Sequence, residues 1–356
     1  MHFCIHKIWR MTPMYMLIVS LVIVLPLLGS GPWWNETIKP EYENCRNYWW
    51  RNLLFINNFF HVKELCMLHT WYMSSYMQIY AVSLVILLLL YRWPVLGWIC
   101  NMGMLLGGAV LTGVVTYLYH LPPTALFSVG SYKRYEEVMT LVYTKPYSHV
   151  GAFCVGVGLG YVIIRWHSVL LTKKVQVIGW SCSIFLCLLT LCGPYQYRRG
   201  TPMHPVLAAV YAACHRTVWA LGVSWVAFVC ISGYGGIINK FLSSKIFIPL
   251  SNLSYCFYLV HPLVLFYRRG SLQERLFLSH FEMMYLFLGN TAFSLVLSYV
   301  CNVTVEQPFI HLESLTFRAK TEKKSTIKPH STLPTQNCDL KTIKAPEPKM
   351  TPQTLE

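Results

Sequence analysis

Two neighbouring stretches, Thr70 to Tyr91 and Pro94 to Tyr119, contain no charged side chain, and each exceeds the ~20 residues that a bilayer crossing needs. In hydrocarbon every backbone polar group must be satisfied within its own segment or a closed barrel, so uninterrupted apolar runs of this length admit only helices. Similar runs recur at Pro13–Gly29, Tyr147–Ile164, Val175–Cys192, Val206–Ile231, Ile246–Tyr267 and Met283–Val305. The expected fold is an all-α polytopic transmembrane bundle of about eight spans, and an even number places both termini on one side. A chain that is 55% hydrophobic and only 12% charged could not cover a water-facing surface, which excludes a soluble globule.

The net charge of +15 raises the question of a nucleic-acid partner. Its placement argues against one. Lys7 and Arg10 precede the first run, and Arg318, Lys320, Lys323, Lys324, Lys328, Lys341, Lys344 and Lys349 lie in the tail, where a membrane protein keeps cytoplasmic charge. Residues 314–356 are rich in Lys, Thr and Pro and are expected to form a disordered cytoplasmic tail behind a membrane domain, 1–313. The short loops do not settle orientation, because basic residues occur on both sides. No small-residue cleavage site follows the first run, so it reads as a span rather than a leader.

Residues 30–68 form a polar interruption holding the sequon Asn35-Glu36-Thr37 and two cysteines, Cys45 and Cys66. Of the thirteen cysteines, nine fall in or beside apolar runs and Cys4 and Cys338 in the terminal segments, leaving this as the only loop pair. A glycan on Asn35 and a Cys45–Cys66 bridge suit an exoplasmic loop; the alternative is two unpaired thiols. Gly151, Gly156, Gly158 and Gly160 in the fourth run would let helices approach closely, and with no strand before them they do not form a nucleotide loop. No internal repeat is evident, and no His/Cys spacing marks a metal site.

Three places could carry chemistry. His261, in the run SNLSYCFYLVHP, could pass a proton between a hydroxyl nucleophile and a leaving group, or could merely bond a carbonyl freed by Pro262. Lys7 and Arg10, spaced i, i+3 ahead of the first span, could grip a phosphate or carboxylate, or could anchor the interface with Trp9. His215 and Arg216 lie inside the sixth run, where a buried arginine needs a partner such as Glu306; equally, the helix could begin near Thr217 and leave the pair to snorkel. His61, His69, Tyr72 and the Trp49-Trp50 pair read as interface or loop packing.

The motifs WWRNLLFINNFF, CMLHTWYMSSYMQIY, YTKPYSHVGAFCVGVGLGYVI, RTVWALGVSWVAFVCISGYGGIINKFLS, PLSNLSYCFYLVHPLV and VEQPF, in that order, resemble the nose-resistant-to-fluoxetine branch of the acyltransferase-3 membrane proteins. The resemblance implies transfer of an acyl group from a thioester such as acyl-coenzyme A to a hydroxyl of a lipid, sugar or small molecule. It places the family's R-x-x-R motif on Lys7 and Arg10 as donor-binding residues, its histidine on His261 and its closing glutamate on Glu306. Two departures stand out. Tyr76 in SSYMQ replaces a common aspartate, and the chain starts after the point where the family carries an arginine and a histidine regarded as catalytic. The expectation is therefore a fragment, an alternative product or an inactive member. A non-catalytic carrier or receptor for lipids or drugs, working in the endoplasmic reticulum or plasma membrane, is the competing reading, since the branch is also linked with lipid transport.

Overall fold

The computed structural model describes residues 2–125, 132–165, 170–274, 277, 279–313 and 315. Among them the secondary structure is helical throughout, with no strand. In chain order the helices are α1 (His2–Val24), α2 (Trp34–Leu53), α3 (Trp71–Arg92), α4 (Pro94–Leu118), α5 (Tyr132–Val138) and α6 (Val150–Arg165). They continue as α7 (Lys173–Cys192), α8 (Tyr195–Arg198), α9 (Pro205–Ile231), α10 (Gly236–Leu242), α11 (Phe247–Gly270) and α12 (His280–Cys301). The site lies within the unit Met1–His311; of the expected tail, only Leu315 is among the described residues.

Among the described residues, seven helices are long and apolar enough to cross a bilayer. The expected fourth span is α6, which has 16 residues and rises only ~24 Å against a ~30 Å hydrocarbon core. It is shorter than the apolar run because Pro146 opens a separate 3-10 turn, Pro146–Ser148, so α6 begins at Val150. The first span also differs from expectation: α1 runs through Pro13, so Lys7 and Arg10 stand on the spanning helix and not ahead of it.

Two groups of helices pack side by side. One comprises α4, α6, α7 and α9, with α3 against α4; the other comprises α1, α2, α11 and α12. Small residues set the approach within the first group. A Cβ on Gly151 would meet the Thr217 Oγ1 at 2.2 Å, and one on Gly158 would meet Trp98 at 3.2 Å, whereas Gly156 and Gly160 face open space. Half of the glycine stripe therefore serves close contact.

The second group holds the main core. Tyr15, Ile18 and Val22 of α1 are fully enclosed with Leu259 and Val260 of α11. The supposed polar loop 30–68 is mostly the 20-residue helix α2. Its inward stripe Trp34, Ile38 and Cys45 follows helical spacing and meets the α11 end, where Trp34 packs edge-on against Tyr267. Helix α2, the turns after it and residues 132–149 thus cover the ends of α3 and α11.

Candidate histidine seam between α3 and α11

The carbonyl of Phe257 lies 3.1 Å from the Nδ1 of His261, one turn later on α11. A carbonyl only accepts, so that bond requires the Nδ1 proton, and the neutral ring then presents its Nε2 lone pair. The ring is held flat against Phe257 at 15° with centroids 5.7 Å apart. The bonded carbonyl is that of Phe257, one turn before His261, and not that of Tyr258, which is the one that Pro262 frees.

A second imidazole faces it. His69 closes the turn Leu68–Thr70 ahead of α3, and its ring centroid is 5.7 Å from that of His261. Sequence reasoning placed His69 and Tyr72 in loop packing; the structure brings both into the seam. His69 is fixed through its backbone, whose carbonyl accepts the Tyr258 hydroxyl proton, while its Nε2 is buried without a partner. Nearby, the Asn52 Oδ1 is likewise buried without a partner, and the Tyr15 hydroxyl lies beside Thr70 and Asn52 without a well-formed hydrogen bond to either. Buried polar atoms are rarely left unpaired, so this neighbourhood stands out within the core.

From this pair an aromatic ladder descends α3. Tyr258 packs on Tyr72 at 5.6 Å, Tyr72 on Tyr76 at 6.3 Å and Tyr76 on Tyr80 at 6.1 Å. The i, i+4, i+8 spacing puts all three tyrosines on one stripe, a signal that was present in the sequence. Lys7 closes the far end, its ammonium 5.3 Å from the Tyr76 ring and 5.9 Å from Tyr80. Tyr76 thus receives the cation through its ring face. Lys7 is half-buried in this contact and Arg10 is exposed, so one helix carries both in different surroundings.

Glu306 departs from expectation. It lies in a π-turn, Asn302–Glu306, that returns its carboxylate to Asn302 Nδ2 at 2.8 Å and to the Cys256 thiol at 2.9 Å. Among the described residues it makes no ion pair with Arg216. That arginine sits in the middle of α9, which begins at Pro205 and not near Thr217, so the snorkelling alternative also fails. Its guanidinium reaches the Ser148 carbonyl at 3.4 Å and the Tyr143 ring at 5.6 Å. His215 donates from Nδ1 to the Tyr211 carbonyl at 2.8 Å and stacks on that ring at 2°.

The seam is roofed by a cross-linked cap. Cys45 and Cys66 are disulfide-bonded with Cα atoms 4.4 Å apart, and Met67, just beyond, is fully buried with φ of 61°. The Met67 amide donates to Glu41, one turn before Cys45 on α2, at 3.1 Å. Burial outweighs that bond and pushes the Glu41 carboxyl up to about 7. The adjacent asparagines of FINNFF fasten the cap to α3: Asn57 donates to Thr70 at 2.7 Å and accepts from Ser74, while Asn58 donates to Ser75 at 3.0 Å. Asn35 is exposed in the first turn of α2.

A cavity of 730 Å³ lies apart from the imidazoles between α1, α11 and α12. Its walls are mainly Leu21, Leu25, Leu263 and Phe293, with Arg268 and Asn290 among the few polar members. Among the described residues no cluster of three or more His, Cys, Asp or Glu is placed to hold a metal.

Comparison with known proteins agrees with this architecture. The family Acyl_transf_3, described as an acyltransferase domain, matches residues 1–303. "Nose resistant to fluoxetine protein 6" of Caenorhabditis elegans is 25% identical over 325 residues, covering 87% of this chain and 39% of its own length. The chain thus spans well under half of that relative. No solved structure matches it. With the match extending through α12 and seven helices among the described residues able to cross a bilayer, this chain belongs to the acyltransferase-3 family of multi-pass membrane proteins.

Proposed function

We propose that the protein transfers an acyl group from a thioester donor, of the acyl-coenzyme A type, to a hydroxyl acceptor, with His261 as the base. The single observation that carries this reading is the tautomer fixed by Phe257, which leaves Nε2 free beside a second, unpartnered imidazole. Nε2 takes the proton of the acceptor hydroxyl as its oxygen attacks the thioester carbonyl. The tetrahedral species then expels the thiolate, which receives the proton back, giving an ester and a free thiol. His69, at 5.7 Å between centroids, is assigned as a positioning residue for the polar atoms at this point.

The other assignments follow the placement of each residue. Arg10, exposed on α1, is the better candidate to meet the donor's phosphates, since Lys7 is engaged with two tyrosine rings. Glu306 is not assigned to the reaction; its bonds to Cys256 and Asn302 give it a structural role in joining α11 to the α12 end. Leu263 and Val264, two and three residues after His261, line the 730 Å³ cavity, which suits an acyl chain.

That same cavity favours a second reading, a lipid carrier in which nothing is made or broken. Incubation of the full-length protein in proteoliposomes with labelled acyl-coenzyme A and a mixed hydroxyl-lipid pool separates the two. A labelled ester, lost in His261→Ala at unchanged folding, is the expected result; movement of label without covalent product, or an ester indifferent to His261→Ala, overturns acyl transfer by this residue.

A further inference from the structure

The long helix α9 holds near its middle a cation that no carboxylate among the described residues neutralises. Arg216 stands in the middle of the 27-residue helix α9, a spanning segment, and among the described residues no carboxylate pairs with it. Its contacts are one long hydrogen bond to the Ser148 carbonyl, 3.4 Å, and the face of Tyr143, 5.6 Å away. A guanidinium carries five N–H donors and stays protonated in proteins, so most of this fork is unused. Charge at such depth is costly and is normally paired or directed into a cavity.

There is a cavity. A 480 Å³ space is lined by Arg216 and His215 of α9, His149 beside α6, and the apolar Ala152, Leu191 and Trp219. No acidic residue contributes to it. The two imidazoles add donors or acceptors of fixed kind: His149 donates its Nε2 proton to the Tyr143 carbonyl at 2.8 Å and His215 its Nδ1 proton to that of Tyr211 at 2.8 Å, and a second positive charge beside the guanidinium is disfavoured. The site therefore has one net positive charge. Its rim is bilayer-facing, since Leu191 is 57% and Trp219 43% exposed on spanning helices.

We propose that this cavity binds the carboxylate of a fatty-acid-like amphiphile entering from the bilayer, with the arginine fork taking both oxygens and the alanine, leucine and tryptophan walls taking the start of the chain. A planar fork matches a carboxylate in bidentate fashion, and one cation matches one anion. The site is separate from the histidine seam and does not depend on acyl transfer.

The test is equilibrium binding of oleate and of its uncharged methyl ester to the full-length protein in nanodiscs, with acetate and phosphate as soluble competitors. One charge-assisted fork predicts a preference for the acid of roughly tenfold or more. Arg216→Gln should abolish that preference and Arg216→Lys should retain part of it. Ala220→Phe, which fills the space while sparing the arginine, should weaken both ligands, and its thermal melting provides a separate check on folding. Equal binding of acid and ester, an unaffected Arg216→Gln protein, or displacement of oleate by millimolar acetate or phosphate would overturn the proposal.

Discussion

The two polar clusters of this bundle solve the problem of burying histidine in the same way and then part company. In both, a ring nitrogen donates to a nearby backbone carbonyl: His261 to Phe257, His215 to Tyr211 and His149 to Tyr143. Each bond fixes a neutral tautomer in a setting where a charged ring would be expensive. The seam adds only neutral neighbours, Tyr258, Tyr72 and a second histidine, and leaves unpartnered polar atoms among them. The α9 cluster adds a permanent cation. A neutral pair with a free lone pair suits moving a proton, whereas a lone guanidinium suits holding an anion and depresses the basicity of any imidazole beside it. Position, not residue type, separates a histidine that can work as a base from one that supports a binding site.

The sharpest way to break this contrast is to remove one imidazole from each cluster. His261→Ala should lower acyl transfer by about 10²–10⁴-fold, the usual worth of general-base catalysis, measured as ester formed per unit of correctly folded protein. His149→Ala should change turnover by less than about tenfold, because its ring lines the α9 cavity. Equal losses in both proteins would erase the distinction.

The cap supplies the next test, because its disulfide lies over the seam. Replacing Cys45 and Cys66 together by alanine opens a 21-residue separation and should cost about 3 kcal/mol of cap stability from chain entropy. Hydrogen exchange should quicken in the turns from Asn57 to Thr70 and at the start of α3, while the middle of α9 keeps its protection. Quickening spread evenly over both helix groups would show that the cap stabilises the whole bundle and not the seam.

How far the sequence foretold these regions depends on the range of the forces involved. The spans were legible because a local rule, uncharged length, decides them. Helix α2 was missed as a helix although Trp34, Ile38, Glu41, Cys45 and Asn52 keep helical spacing, because two members of the stripe are polar and find partners only in the turn around Cys66 and Met67. The disulfide followed from cysteine placement, since both thiols lie in one polar segment. His261 stood out by its depth in an apolar run, yet its neighbour His69 lies 192 positions away in sequence and read as part of a loop. Arg216 was matched to Glu306, an acid at the end of the last span, by charge alone. In the fold an aromatic face and a carbonyl meet it instead, and the acid turns back on its own helix.

The smallest expected effect concerns Glu41, and it follows from the direction of its shift. Burial against α2 and the Cys66 turn holds its carboxyl at about 7, above the ordinary ~4.3 of a glutamic acid in water. A carboxyl whose folded value is raised favours the fold while protonated. That contribution is complete below about pH 4, declines as the pH rises, and is gone above about 7. Because Glu41 is only half-buried by surface, the loss is set at about 1–2 kcal/mol, less than full desolvation would give. The Cys45–Cys66 bridge should therefore be reduced faster by a fixed thiolate concentration at pH 8 than at pH 5. Glu41→Gln, which keeps an acceptor for the Met67 amide without the charge, should flatten that dependence and protect the bridge at pH 8. Arg216 does not titrate in this interval, so oleate binding, corrected for ionisation of the oleate itself, should stay level over the same range. A parallel decline in both measurements would mean that the cap and the α9 cavity loosen as one body.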